Sequence, residues 1–131
     1  MKAQKMGTAR NDYFHKSAQA LNPTHILIIG LQTFHSRAHL RLGRILRLEK
    51  EPQNPFDEFA IRAELPYIGI VGYVAKRDSL KISLRSQIEG CKDARGIYFD
   101  FVTRAYARVE FLSENWAICA LCEPKAHFKT P

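Results

Sequence analysis

The chain has 131 residues, 46% apolar and 25% charged, which sets aside a disordered protein, a collagen repeat and a disulfide miniature in favour of one folded domain. Twenty Lys and Arg against thirteen Asp and Glu leave +7 with neutral histidines, an excess that attracts polyanions without choosing among DNA, RNA and anionic membrane. The longest nearly uncharged apolar run, Ile26 to Leu31, is far below the roughly 20 residues of a membrane-crossing helix.

Residues 1–22 carry Lys2, Lys5, Arg10 and Lys16 against Asp12 without a sustained apolar period, and read as a basic tail. They lack the apolar run of a secretory signal, so the expected location is cytoplasmic, nucleoid-associated in a bacterium. Asn22-Pro23 stops any helix and marks the start of the domain. The continuous apolar stretch His25 to Gly30 suits a strand buried on both faces. Between Arg37 and Lys50 the arginines at 37, 41, 44 and 47 fall near helical spacing, while Leu40/Leu42 and Leu46/Leu48 alternate. Gly43 breaks the helical reading, and a turn followed by a strand from Arg44 to Lys50 is expected.

Pro52, Asn54 and Pro55 make a rigid loop, because fixed φ angles and missing N–H groups exclude helix or central strand. Strands Phe59–Glu64 and Ile68–Ala75 flank a Pro66-Tyr67 turn. Asp78 caps an expected helix, with Leu80, Leu84 and Ile88 on its buried side and Gly90 at its end. Three strands follow, Ile97–Val102, Arg104–Leu112 and Trp116–Cys122, the last stopped by Pro124. In the second of these, Ala105, Ala107 and Val109 face one way and Tyr106 and Arg108 the other. The fold expected is mainly β (α+β): a small OB-like or SH3-like β-barrel of about six strands with one or two short helices, spanning 23–123, with 124–131 a C-terminal tail.

Three cysteines, Cys91, Cys119 and Cys122, read as reduced thiols. Cys119 and Cys122 could hold zinc with Cys91, His127 or His35 only if the strand ended between them, since strand positions three apart point to opposite faces. Glu123-Pro124-Lys125 with Asp100 mimics a nuclease motif, but Pro124 interrupts the strand such an enzyme uses. No nucleophile with its base is recognisable. Neither catalysis, metal nor cofactor is expected.

The loop Glu51-Pro52-Gln53-Asn54-Pro55-Phe56-Asp57, followed by Ala60-Ile61 and then by Gly69-Ile70-Val71-Gly72-Tyr73-Val74, resembles the HIRAN domain family over roughly residues 26–112. The resemblance implies a small β-barrel that binds DNA and, in some members, holds the 3′ end of a single strand. It implies that Phe56 stacks on the terminal base, that Asp57 accepts the 3′-hydroxyl, and that Asn54 helps hold the end. Phe34 stands near an aromatic that packs on the nucleotide. Gln32, Thr33 and Phe34 occupy the place of an Arg and paired tyrosines in the family, and Phe59 that of a small polar residue. Those changes bear on 3′-end selectivity and leave general single-strand binding open.

Elementary chemistry agrees with these roles. A ring takes a base of any sequence, and a carboxylate repels phosphate but accepts a hydroxyl. Arg37, Arg41, Arg44 and Arg47, with Lys76 and Arg77, are the expected phosphate contacts, Arg47 foremost on its strand because it opposes Leu46 and Leu48. Tyr73 reads first as a tyrosine at the core's edge and second as a nucleotide contact. The plain alternatives are a plugging role for Phe56, loop capping by Asp57, and a solvated basic face. The partner expected is single-stranded DNA or a DNA end in repair or fork processing, alongside a helicase or nuclease on another chain. A protein-interaction surface or RNA binding is the alternative.

Overall fold

A computed structural model of the protein describes residues 23–123, so both expected tails lie outside the described residues. Six antiparallel strands close into a barrel: β1 (His25–Ile29), β2 (Ile45–Lys50), β3 (Ile61–Leu65), β4 (Gly69–Val74), β5 (Arg104–Leu112) and β6 (Trp116–Cys122). Their order around the barrel is β1-β4-β3-β2-β5-β6, with β6 returning to β1. Closure leaves no open strand edge in the barrel of the described residues. This is the small mainly-β barrel that the strand pattern predicts.

Alternation decides what fills the barrel. Ile26 and Ile28 of β1, Leu46 and Leu48 of β2, Ile61 and Ala63 of β3, and Ala107 and Val109 of β5 point into one core. Each large aliphatic side chain buried there contributes roughly 1.5–3 kcal/mol relative to exposure. Leu27, between the two inward residues of β1, is buried on the outside instead, with Ala75, Leu80, Ile88 and Cys91. That second cluster is the reason β1 is apolar without a break from Ile26 to Ile29.

The segment after β4 departs from expectation. In place of one helix there are 3-10 turns at Arg77–Ser79 and Ile82–Leu84 and a four-residue helix, α1 (Arg85–Ile88). Only Leu80 and Ile88 of its apolar residues are fully buried, and Ile82 lies in solvent. The expected strand Ile97–Val102 is also absent. Asp93 caps a helix there, α2 (Ala94–Tyr98), accepting a bond from the Gly96 N–H at 3.0 Å, and Ile97 is its buried anchor.

Gly72 is the tightest point of the wall. A Cβ there would lie 2.5 Å from the Ile29 carbonyl oxygen and 2.8 Å from a methyl of Ile28, so β1 and β4 meet only over glycine. Two bulges bend the sheet, one between Ala63 and Glu64 and one between Val109 and Phe111. The second leaves Glu110 as an extra residue and turns Phe111, which strict alternation would send inward with Val109, out to solvent.

No helix among the described residues is long and apolar enough to cross a membrane.

Candidate functional site

The loop between β2 and β3 is built by its own side chains. Its base closes through Glu51 N–H to the Ala60 carbonyl at 2.9 Å, and Asn54 N–H returns to Glu51 at 3.0 Å. The Asn54 carbonyl oxygen accepts from the N–H groups of Phe56 (2.8 Å) and Asp57 (3.1 Å), while its amide donates to Glu51 at 2.9 Å. Asn54 is therefore the loop's internal brace, a role its short amide fits because it imitates backbone. With both neighbouring amides tied inward and Pro55 fixing φ, the Phe56 side chain is left outside, 93% exposed.

Asp57 takes the capping role and an ion pair together. One oxygen accepts from Phe59 N–H at 3.0 Å and the other lies 3.3 Å from Lys76 Nζ. Lys76 thus arrives at the loop. Arg77 points elsewhere, donating to the Cys91 carbonyl at 3.1 Å, and its N–H meets Asp93.

Behind the loop, the Glu51 carboxylate receives the Tyr73 hydroxyl at 2.9 and 2.8 Å and Arg62 at 3.3 Å. Burial opposes ionisation of Glu51, but hydrogen bonds from Asn54, Tyr73 and Arg62 outweigh it and hold its pKa below the usual carboxylate range. Burial and the same carboxylate push the Tyr73 phenol up to about 12. Tyr73 thus stays a donor, and its ring lies 5.9 Å from that of Phe34, tilted by 36°. Gly30, at φ +89°, turns the chain so that Phe34 covers it.

The outer wall continues as a charged lattice set by register. Tyr73 of β4, Arg62 of β3, Glu49 of β2 and Arg104 of β5 form one cross-strand row, and Glu64 and Arg47 belong to the next. Arg62 bonds Glu64 at 2.5 Å and Glu49 at 3.3 Å, and Arg104 bonds Glu49 at 2.6 Å. Arg47 donates to Glu64, which is only 8% exposed, while its own Nε is buried with no partner among the described residues. Arg47 does lie outward of Leu46 and Leu48, and there its guanidinium is paired with Glu64. Arg37 is separated from the loop altogether. It precedes β2, at the opposite end of that strand, where its Nε donates to the Ser113 carbonyl at 2.9 Å.

The structure also gathers aromatic residues that the strand assignment of 97–102 concealed. Phe59, from the same loop as Phe56, packs edge-on against Tyr98 at 5.1 Å and Phe99 at 6.0 Å. Lys50 lies 4.2 Å from the centre of the Tyr98 ring and 4.9 Å from that of Phe101, and the Arg95 guanidinium stands 5.0 Å from Phe59. Phe99 remains 78% exposed. The signal was the run Tyr98-Phe99-Asp100-Phe101 itself, too aromatic for a capped turn that buried all its rings.

Cys119 is in the barrel core, where burial and the neighbouring Glu110 push its thiol well up. Among the described residues, no group of three or more His, Cys, Asp or Glu could hold a metal ion. His127, one of the ligands considered, lies outside the described residues.

The barrel has a structural relative. A crystal structure of a protein from Lactobacillus plantarum, a structural genomics target, matches with a TM-score of 0.50 at 19% identity, covering 75% of this chain and 88% of that one. The likeness is one of fold. No family model and no curated protein matches the chain.

Proposed function

We propose that this protein is a non-catalytic DNA-binding module that takes single-stranded DNA, at its 3′ end, on the loop between β2 and β3. The observation that carries the reading is Phe56: a large ring 93% exposed on a loop whose backbone is held by Asn54 and Glu51. An exposed phenyl group on a braced loop costs a solvated surface and stabilises nothing in the core, and a flat base is a ligand that would cover it. Lys76, Lys50 and Arg95 bring positive charge near the aromatic residues of that end, as a phosphate chain requires.

Asp57 keeps lone pairs for a terminal hydroxyl beside its bonds to Phe59 N–H and Lys76. An internal nucleotide would bring a phosphodiester toward that carboxylate, and a free end would not. The resemblance of the loop to HIRAN domains supports the same ligand, and repair or replication-fork processing with a helicase or nuclease is the setting it suggests.

The test is fluorescence anisotropy with oligonucleotides of one sequence, single-stranded or duplex, ending in 3′-hydroxyl or 3′-phosphate. The single strand with a free hydroxyl should bind tightest, with log-linear weakening in salt. Equal affinity for both ends would remove the role of Asp57, and absence of binding to any of them would remove the function.

A further inference from the structure

The opposite end of the barrel carries a second surface, independent of the nucleotide reading. A groove of about 550 Å³ runs between the Arg37–Leu42 segment and the end of β5. Leu40, Leu42, Phe111 and Leu112 line it with Arg37 and Arg41. Leu42 is 64% exposed and Phe111 60%, the latter because the bulge at Glu110 turns it outward. Large apolar side chains are ordinarily buried, and these two, exposed in one groove, form an apolar floor.

Positive charge prevails at the groove, where Arg37 and Arg41 stand against one lining carboxylate, Glu110. Residues 23–48 contain no Asp or Glu. Among the described residues Arg41 and Arg44 have no carboxylate partner, and Arg37 uses its Nε on Ser113, leaving its terminal nitrogens for an incoming group. Glu110, itself part of the lining, is paired with His25 at 2.9 Å. We infer that this groove docks an acidic, apolar peptide segment of a partner protein, its aliphatic side chains seated on Leu42 and Phe111 and its carboxylates on Arg37 and Arg41.

Two other occupants fit less well. A nucleic acid needs ring faces for its bases, and this floor is aliphatic but for Phe111. A second copy meeting across a two-fold axis would set Arg37 and Arg41 against themselves. Arginine forks favour carboxylates bidentately, and an apolar pocket beside them gives such a peptide its anchor.

The experiment is anisotropy of the full chain with a fluorescent peptide of Glu, Asp, Leu and Phe, against the same peptide with Lys in place of the acids. The acidic peptide should bind and the basic one should not. Arg41→Glu and Phe111→Ser should each weaken binding by about tenfold, while Phe56→Ala should leave it unchanged. Leu42→Ser replaces Phe111→Ser if circular dichroism shows that variant unfolded. No binding of the acidic peptide, or binding that ignores these substitutions, overturns the proposal. So does a dimer in sedimentation that Phe111→Ser dissolves, or oligonucleotide affinity that falls with Arg41→Glu.

Discussion

On the wall that leads to the end of β2, Arg47, Arg62 and Arg104 meet Glu49, Glu51 and Glu64, and beyond it the rings of Phe56 and Phe99 stand in solvent with Val102. Where β2 begins, Arg41 and Arg44 meet no carboxylate among the described residues, and Leu42 and Phe111 stand in solvent, as does Tyr67 on the turn after β3. The contrast shows that net charge does not locate a binding surface. By sequence, residues 1–22 and 124–131 carry +5 of the +7, and on the wall behind the loop the arginines are matched by carboxylates, so that under the proposed function a ligand there is chosen by aromatic faces.

The sharpest way to break the contrast is at Phe56. Phe56→Ala should cost about 1–3 kcal/mol of single-strand affinity, with an unfolding midpoint unchanged because the ring touches solvent and not the core. A loss of stability with affinity per folded molecule intact would make the ring structural. Glu64→Gln acts on the wall instead. It removes the buried partner of Arg47 and Arg62 and should cost about 2 kcal/mol in denaturant unfolding, the partial exposure of Arg47 keeping it below a fully buried pair. An unchanged midpoint would show that the lattice is ornamental to stability.

Asn54→Ala sits between these two. Losing its bonds to the Phe56 and Asp57 amides and to Glu51 should cost about 1 kcal/mol of stability and soften the loop, so that oligonucleotide affinity falls as well. Affinity untouched by that change would separate the brace from binding.

The pH limbs sharpen the same point. Tyr73 titrates at about 12 when folded against about 10 unfolded, so the stability it contributes is complete below pH 10 and is lost as pH rises toward 12. Glu51 and Glu64 have lowered pKa values, so their contribution is present above the ordinary carboxylate range and lost as pH falls through the lowered values. Tyr73→Phe should flatten the alkaline limb and leave the acid one in place, read from thermal unfolding across pH. An unaltered alkaline limb would place the loss at another group.

The strands were legible because barrel residues obey period two: β5 and β6 begin and end at Arg104, Leu112, Trp116 and Cys122 as their apolar patterns end. The uninterrupted apolar run of β1 also told the truth, since Leu27 is buried outside the barrel as Ile26 and Ile28 are inside. The segments at 77–88 and 94–98 were misread because their stabilisation is tertiary. Leu80 and Ile88 are held by β1 and not by a regular helix, and Ile97 anchors a capped turn whose aromatic run mimics a strand.

At the site, the rigid loop could be read from Pro52, Asn54 and Pro55, whereas the exposure of Phe56 followed only from the resemblance, the residues alone leaving a plugging role open. The partners of Arg47 and Asp57 could not, because Glu64 and Lys76 reach them only through strand register. Nor could the outward turn of Phe111, which depends on one extra residue in a ladder.

The most direct test of the central claim is an ¹⁵N–¹H correlation spectrum of the full chain during titration with a short single-stranded oligonucleotide. Shifts concentrated in residues 51–60, at Lys76 and in residues 94–101 are the predicted result. Shifts confined to residues 37–44 and 110–113, with the amide of Phe56 unmoved, would contradict it.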